Sequence, residues 1–238
     1  MFFPETYNKL IIKLMAETEG IAVAEKIERG LLVVISGFSG AGKGTLIREL
    51  THQYPNYRLS VSATTRAPRA GEEGGKDYFF VSRDRFEEMI AQRELIEYAS
   101  YVGNYYGTPK AYVEEMLAAG HDVILEIEIQ GALKVKDIFP EAVFVFVAPP
   151  DAKTLEQRLT GRGTESEEQV RARLKRAAEE SRWMSDYEYL LVNDNLGTTV
   201  ENLHALLRSQ HFCMYRHSEF TEELSAALNR FYSSEEEK

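Results

Sequence analysis

Lys43 stands in the run LLVVISGFSGAGKGTLIREL, residues 31–50, and its neighbours decide what its charge can do. Gly37, Gly40 and Gly42 precede it, and glycine takes φ > 0 and lets backbone come close to a ligand. Ser39, Ala41 and Gly44 complete the loop. Successive N–H groups in such a turn, with a helix N-terminus behind them, make a concave site for an oxyanion. Lys43 adds a full positive charge suited to the β- and γ-phosphates of a nucleoside triphosphate. The pattern G-x-x-x-x-G-K-[ST], begun at Gly37, meets Gly44 where Ser or Thr is expected, and the hydroxyl arrives one place later at Thr45.

Other charged residues are patterned for a second anion. Arg66 and Arg69 flank Pro68 in the turn-rich stretch 64–72. Two guanidinium forks held apart by a stiff turn suit a phosphate, although exposed arginine pairs are also common as plain solvated charge. Tyr78 and Tyr106 each carry a phenol able to donate to that anion, or stand as half-buried strand aromatics. Glu97 and Glu128 lie in apolar surroundings, and Glu126 and Glu128 interrupt the end of a hydrophobic strand, where a carboxylate is costly unless paired. Ligands of parallel α/β sheets bind at the C-terminal ends of the strands. A carboxylate accepting two parallel N–H bonds matches the N1–H and 2-amino edge of guanine, which adenine lacks; an ion pair with a basic neighbour fits equally well. Arg158, Arg162 and Arg173 surround the break Gly161-Arg162-Gly163. There they could close over a triphosphate and offset its charge, or salt-bridge two helices.

The hydrophobic pattern supplies the scaffold. Residues 31–35 read as a buried strand ending in the glycine loop, with a helix after it. Residues 57–63, 77–81 and 95–101 read as strands, 83–92 as a helix and 103–107 as a tight aromatic hairpin. This mixture lacks βαβ repetition and reads as an insertion on the core. Helices at 110–118, 131–138 and 151–160 then alternate with strands at 122–127 and 142–147, which argues for a parallel α/β sheet covered on both faces. Thr164 and Glu167 fit a capping box opening a charged helix to about Arg182. A strand at 189–192 and a helix around 199–208 complete the core. Amphipathic helices are expected from about Thr6 to Glu17, and in the tail through Phe220, Leu224, Ala227, Leu228 and Phe231.

Of the 238 residues 44% are hydrophobic and 28% charged, as in ordinary globular proteins. A formal net charge of -10 argues against broad nucleic-acid binding. The single cysteine, Cys213, precludes an internal disulfide framework and fits a reducing compartment. No signal peptide and no apolar run approaching the ~20 residues of a membrane span is evident, so a cytoplasmic protein is expected. His211, Cys213 and His217 lack a nearby fourth ligand and are not read as a metal site.

The motifs S-V-S-A-T-T-R-A-P-R-A-G-E at 60–72, G-K-D-Y-F-F-V at 75–81, G-N-Y-Y-G-T at 103–108 and R-L-T-G-R-G-T-E at 158–165 resemble, in this order and spacing, those of guanylate kinases. The resemblance covers about residues 30–207 and implies an α/β P-loop kinase. Its parallel central sheet would be flanked by helices, with a mixed α/β GMP-binding insertion and a helical lid. On that reading 1–29 and 209–238 are extensions around a domain at 30–208, with core segments 30–63 and 113–208, insertion about 64–112 and lid about 158–175. It implies Mg2+-dependent transfer of the ATP γ-phosphoryl group to GMP. It further implies that Ser62, Glu97, Thr108 and Glu128 contact guanine, and that Arg66, Arg69, Tyr78 and Tyr106 hold the GMP phosphate. Gly37, Ser39, Gly40, Ala41, Gly42, Lys43, Gly44 and Thr45 match the ATP phosphate cradle, and Asn193 lies toward adenine. Lys43, Arg158, Arg162 and Arg173 match the charge-stabilising catalytic set. Thr45 and Glu126 are the candidate metal residues, since G-A-G-K-G-T is similar to adenylate kinase loops, where glycine also follows the lysine. Phe38 replaces a usual proline, and Glu128 stands where some members carry Asp. ATP and GMP are the expected partners, without nucleic acid or membrane; dGMP use and homo-oligomer formation stay open. An inactive phosphopeptide-binding relative of these enzymes is the alternative, but such modules usually have degraded loops. A GTPase lacks support, because no N-K-x-D signature is present.

Overall fold

In β1 (Leu32–Gly37) alternate side chains point to opposite faces, as a strand requires. Val33 and Ile35 enter one buried cluster, Leu32 and Val34 another. A strand buried on both sides needs apolar residues throughout, which is why the run shows no polar alternation. The computed structural model describes residues 29–101, 103–161 and 166–236. The amphipathic helix expected from about Thr6 to Glu17 falls outside them, as do Arg162 and Thr164.

After the loop comes α1 (Lys43–Gln53), which buries Leu46, Ile47 and Leu50 against the first cluster. The core sheet adds β2 (Tyr57–Leu59), β7 (Asp122–Glu126), β8 (Val143–Ala148) and β9 (Tyr189–Val192). Their order is β2-β7-β1-β8-β9, and every pairing is parallel. One face is covered by α1, α5 (Ala152–Thr160), α6 (Glu167–Glu180) and α7 (Leu196–Gln210). The other is covered by α3 (Lys110–Ala118) and α4 (Ile129–Ile138), through Val113, Leu117, Ala132 and Val135. A parallel sheet points all its C-terminal ends to one edge, so the glycine loop and Glu126 emerge side by side.

A second sheet sits between β2 and α3 in the chain. It contains β3 (Ala63–Thr64), β4 (Phe79–Phe80), β5 (Leu95–Tyr101) and β6 (Asn104–Pro109), in the mixed order β4-β3-β6-β5. Its own small core comprises Ala63, Phe86 and Met89, the last two from α2 (Arg83–Ala91). Two expectations are corrected here. The run 57–63 is not one strand: Tyr57–Leu59 pairs with β7, while Ala63–Thr64 pairs with β4 and β6, so the chain changes sheets between them. The hairpin turn also lies earlier than 103–107. Tyr101 pairs with Asn104, and Tyr105, Tyr106 and Gly107 are strand residues of β6.

The cap of α6 is corrected as well. Ser166 accepts from Gln169 N and Gln169 bonds back to the Ser166 backbone, so the capping box is S-E-E-Q and the helix begins at Glu167. Two overlapping patterns satisfied the same rule, and the later one caps the helix. At the sheet edge remote from the loop, buried Asp122 accepts from Leu31 N at 2.8 Å and Asn56 Nδ2 at 3.2 Å, and pairs with His211 Nε2 at 3.0 Å. His217 Nε2 lies 2.8 Å from the His211 carbonyl oxygen. A final helix, α8 (Ser218–Glu236), lies beyond them with Phe220, Leu224, Leu228 and Tyr232 exposed.

Phe146 in β8 is fully buried between Phe38 of the loop, 5.0 Å away edge-on, and Tyr187 at 5.2 Å. Phe146→Ala removes the floor on which the loop rests. It is expected to lower the unfolding free energy by about 3–5 kcal/mol. Urea titration checks this: the midpoint should fall while the slope is unchanged.

Candidate functional site

The loop is built by glycine where no other residue fits. Gly40 and Gly42 both have φ 90°, and Gly37 has φ 149°. A Cβ on Gly37 would stand 2.0 Å from Val147 O, and one on Gly42 would stand 2.5 Å from Asn193 Nδ2. The first closeness locks the loop to β8. The second leaves room for Asn193, which is buried and donates to Ala41 O at 2.8 Å. Lys43 Nζ curls back to donate to Gly37 O at 2.7 Å and Phe38 O at 3.1 Å. No acidic residue occupies the first turn of α1, so no side chain of the helix itself offsets its positive end. Arg158 Nη1 reaches toward Ala41 O at 3.5 Å, and Arg173 Nη1 donates to Ser39 Oγ at 3.0 Å. Arginines of α5 and α6, Arg158 and Arg173, thus converge on the loop.

The second sheet carries the other candidates. Glu97 of β5 is buried, and Thr108 Oγ1 of β6 donates to its Oε1 at 2.7 Å. Burial raises the Glu97 pKa; the Thr108 bond and the Lys134 charge oppose that, and Glu128 adds to it. Tyr78 and Tyr106 stack edge-on with centroids 6.0 Å apart. Arg66 packs over the Tyr78 ring at 5.4 Å. Its fork is already filled: Nη2 and Nη1 bond to the two carboxylate oxygens of Glu72 at 2.8 and 3.0 Å. Glu72 also accepts from Arg69 N at 2.7 Å, while Arg69 itself is exposed. Sequence reasoning missed Glu72, although the repeated spacing of three, Arg66-Arg69-Glu72, was there to be seen.

Two openings merge between these halves. One of about 490 Å³ is lined by Gly37, Ser39, Lys43, Arg173 and Arg176 on the loop side. Another of about 590 Å³ is lined by Ser62, Glu97 and Tyr106 on the insertion side. Tyr78, Glu126 and Glu128 line both, so the space is one cleft. Ser62, Tyr78, Thr108 and Glu126 also line a smaller recess of about 150 Å³.

Glu126 is solvent-accessible and lines the wall of the cleft. The partial loss of hydration raises its pKa, and the Lys43 charge pulls the other way. A Cβ on Gly44 would meet its two oxygens at 3.7 and 3.9 Å. Glu126 therefore faces the point where the usual motif has its hydroxyl. Thr45 is exposed, and its Oγ1 lies 3.5 Å from Arg48 Nη2. Glu128 Oε2 accepts from Arg176 Nη2 at 2.9 Å, which is the ion pair weighed as the alternative to a ligand contact. Arg176 was also missed; its signal is its position one helical turn beyond Arg173.

A parallel sheet with a glycine-rich phosphate loop after its first strand, facing an inserted sheet across one cleft, defines a P-loop kinase. Comparison with known proteins narrows the class. The family model described as guanylate kinase matches residues 29–210. A guanylate kinase of Streptococcus thermophilus (strain CNRZ 1066) is 54% identical over 190 residues, 79% of this chain and 91% of its own. One of Desulfitobacterium hafniense (strain Y51) is 54% identical over 181 residues, covering 76% and 90%. The crystal structure of guanylate kinase from Anaplasma phagocytophilum superposes with a TM-score of 0.65 at 32% identity, covering 84% of this chain and 95% of that one. The chain belongs to the guanylate kinase family.

Glu97 yields a stability prediction. A raised carboxyl pKa means the folded state favours the neutral form. The associated stability is present below the ordinary carboxylate range and is lost as pH rises through the folded-state pKa. Glu97→Gln keeps an acceptor for Thr108 without the charge. It should raise the melting temperature at neutral pH, and the gain should vanish in acid, as thermal melts across pH 3–8 would show.

Proposed function

We propose that this chain transfers the γ-phosphoryl group of ATP to GMP with Mg2+, giving ADP and GDP. The observation that carries the proposal is the single cleft with Lys43 and the phosphate loop at one end and the Glu97–Thr108 pair at the other. In this reading Gly37–Thr45 cradle the ATP phosphates and Asn193 lies toward adenine. Ser62, Glu97, Thr108 and Glu128 receive guanine, and Arg66, Arg69, Tyr78 and Tyr106 hold its phosphate. The domain then spans about 30–208, with the insertion at about 64–112 and a lid at about 158–175.

The chemistry asks the protein mainly for position and charge. A phosphate oxygen of GMP attacks the γ-phosphorus, the bond to the β–γ bridging oxygen breaks, and ADP leaves with the electron pair. Lys43, Arg158, Arg162 and Arg173 offset the repulsion between the two polyanions. Bringing α5 and α6 over the loop excludes water, which would otherwise take the phosphoryl group. Glu126 and Thr45 offer the hard oxygen ligands Mg2+ prefers, and so few suffice, because this ion keeps waters and binds substrate phosphates. Held there, the ion would supply charge neutralisation to the transferring phosphates. Among the described residues no helix is long and apolar enough to cross a membrane.

A coupled ADP-release assay over a panel of nucleoside monophosphates tests the reading, with GMP, dGMP, AMP, CMP and UMP each offered with ATP. Turnover should require GMP or its deoxy form, and turnover with AMP alone would overturn the guanine assignment. Lys43→Ala should lower kcat by about 10²–10³, the loss seen when one donor to a developing oxyanion is removed. Glu97→Gln should raise the KM for GMP and leave that for ATP unchanged, because only the guanine edge loses a charged acceptor.

A further inference from the structure

Arg176 lies on α6, one turn beyond Arg173. Arg173 touches the loop through Ser39 Oγ, and Arg176 touches Glu128 at the start of α4. One short helical segment therefore contacts both the phosphate loop and the wall shared by the two openings. Arg176 is held in turn by Glu180 Oε1, which accepts from its Nε at 2.8 Å, so its free direction is toward Glu128. Arg176 takes only Oε2 of Glu128; among the described residues Oε1 has no hydrogen-bond partner. Both side chains line the loop-side opening, and Glu128 lines the insertion-side one as well.

We propose that Arg176 is a positioning residue that couples the two substrate sites, presenting the Glu128 carboxylate to guanine while tying α6 to the position it takes over the phosphate loop. The inference rests on the reading of Glu128 as a guanine contact. Its physical basis is that a carboxylate has two oxygens and can serve two donors at once. Guanine on Oε1 strengthens the hold on Arg176 through Oε2, and ATP on the loop favours the same placement of α6 through Arg173. Each nucleotide then favours the other's site, and by linkage the effect is reciprocal. Arg176 also offsets the charge of Glu128, which otherwise adds to that of nearby Glu97 against an anionic substrate. The pair is exposed, so the coupling it carries is modest, up to about fivefold.

Calorimetric titration of GMP, with and without Mg2+ and a non-hydrolysable ATP analogue, measures the coupling as a ratio of affinities. Arg176→Gln should reduce that ratio by about two- to fivefold, the range an exposed ion pair supplies. It should raise the KM for GMP with kcat within about twofold, as expected for a lost binding interaction. Arg176→Lys should restore most of the ratio. In a Glu128→Gln background, Arg176→Gln should have no further effect. An unchanged ratio in Arg176→Gln, or the same loss in the Glu128→Gln background, overturns the inference. If Glu128→Gln weakens GMP while Arg176→Gln changes nothing, only the coupling role falls. If Glu128→Gln leaves GMP affinity intact, the guanine role of Glu128 falls and the coupling role with it.

Discussion

A cleft that accepts polyanions must also be stable without them, and the site depends on how its charges are balanced meanwhile. Three cations at the cleft have internal partners. Arg66 is bound by Glu72, Arg176 by Glu128, and Lys43 by the loop carbonyls with Glu126 nearby. Arg66 is largely shielded from water and would be costly without Glu72, whereas the exposed Arg176–Glu128 pair contributes little. On the proposed reading, an arriving phosphate competes with Glu72 for Arg66 and with the loop carbonyls for Lys43, while Arg176 keeps Glu128.

The loop itself depends on a different restraint. Gly37 lies against Val147 O, and Gly42 leaves space for the Asn193 amide, so the loop is held by β8 and by the residue after β9. Asn193 is thus placed by the sheet, far from the loop in sequence, and it fixes Ala41 O. These contacts hold the shape of the loop from within the protein itself. Such preorganisation is what electrostatic stabilisation of a developing charge requires.

Much of this was legible in the sequence because it is encoded locally. The unbroken apolar run into Gly37, the alternation of strands and helices after 110, and the motif residues each carry their own signal. Lys43 and Arg173 line the loop side of the cleft, Glu97 lines its insertion side, Thr108 lines the small recess beside it, and Arg158 reaches the loop at Ala41 O. What could not be read was pairing between distant segments. Nothing near residue 60 announces that the chain leaves one sheet for another, because Ser60–Ser62 are as compatible with extended strand as their neighbours. Glu72 and Arg176 look like ordinary surface charges until Arg66 and Glu128 are brought beside them. The misplaced cap of α6 has a narrower cause, since Thr164 and Ser166 each begin a valid capping pattern and local rules alone do not rank them.

The last helix shows how unevenly the fold is held together. In the 19-residue α8 none of the described side chains is fully buried, and Phe220, Leu224, Leu228 and Tyr232 are exposed. A helix of that length is only marginal in water on its own. Its backbone amides should therefore exchange with deuterium near the rate of a free peptide, on a timescale separate from β1 and β8, whose amides open only with the whole domain. The chain has one thermodynamic unit around the cleft and, attached to it through His211 and Asp122, a segment whose folding is its own affair.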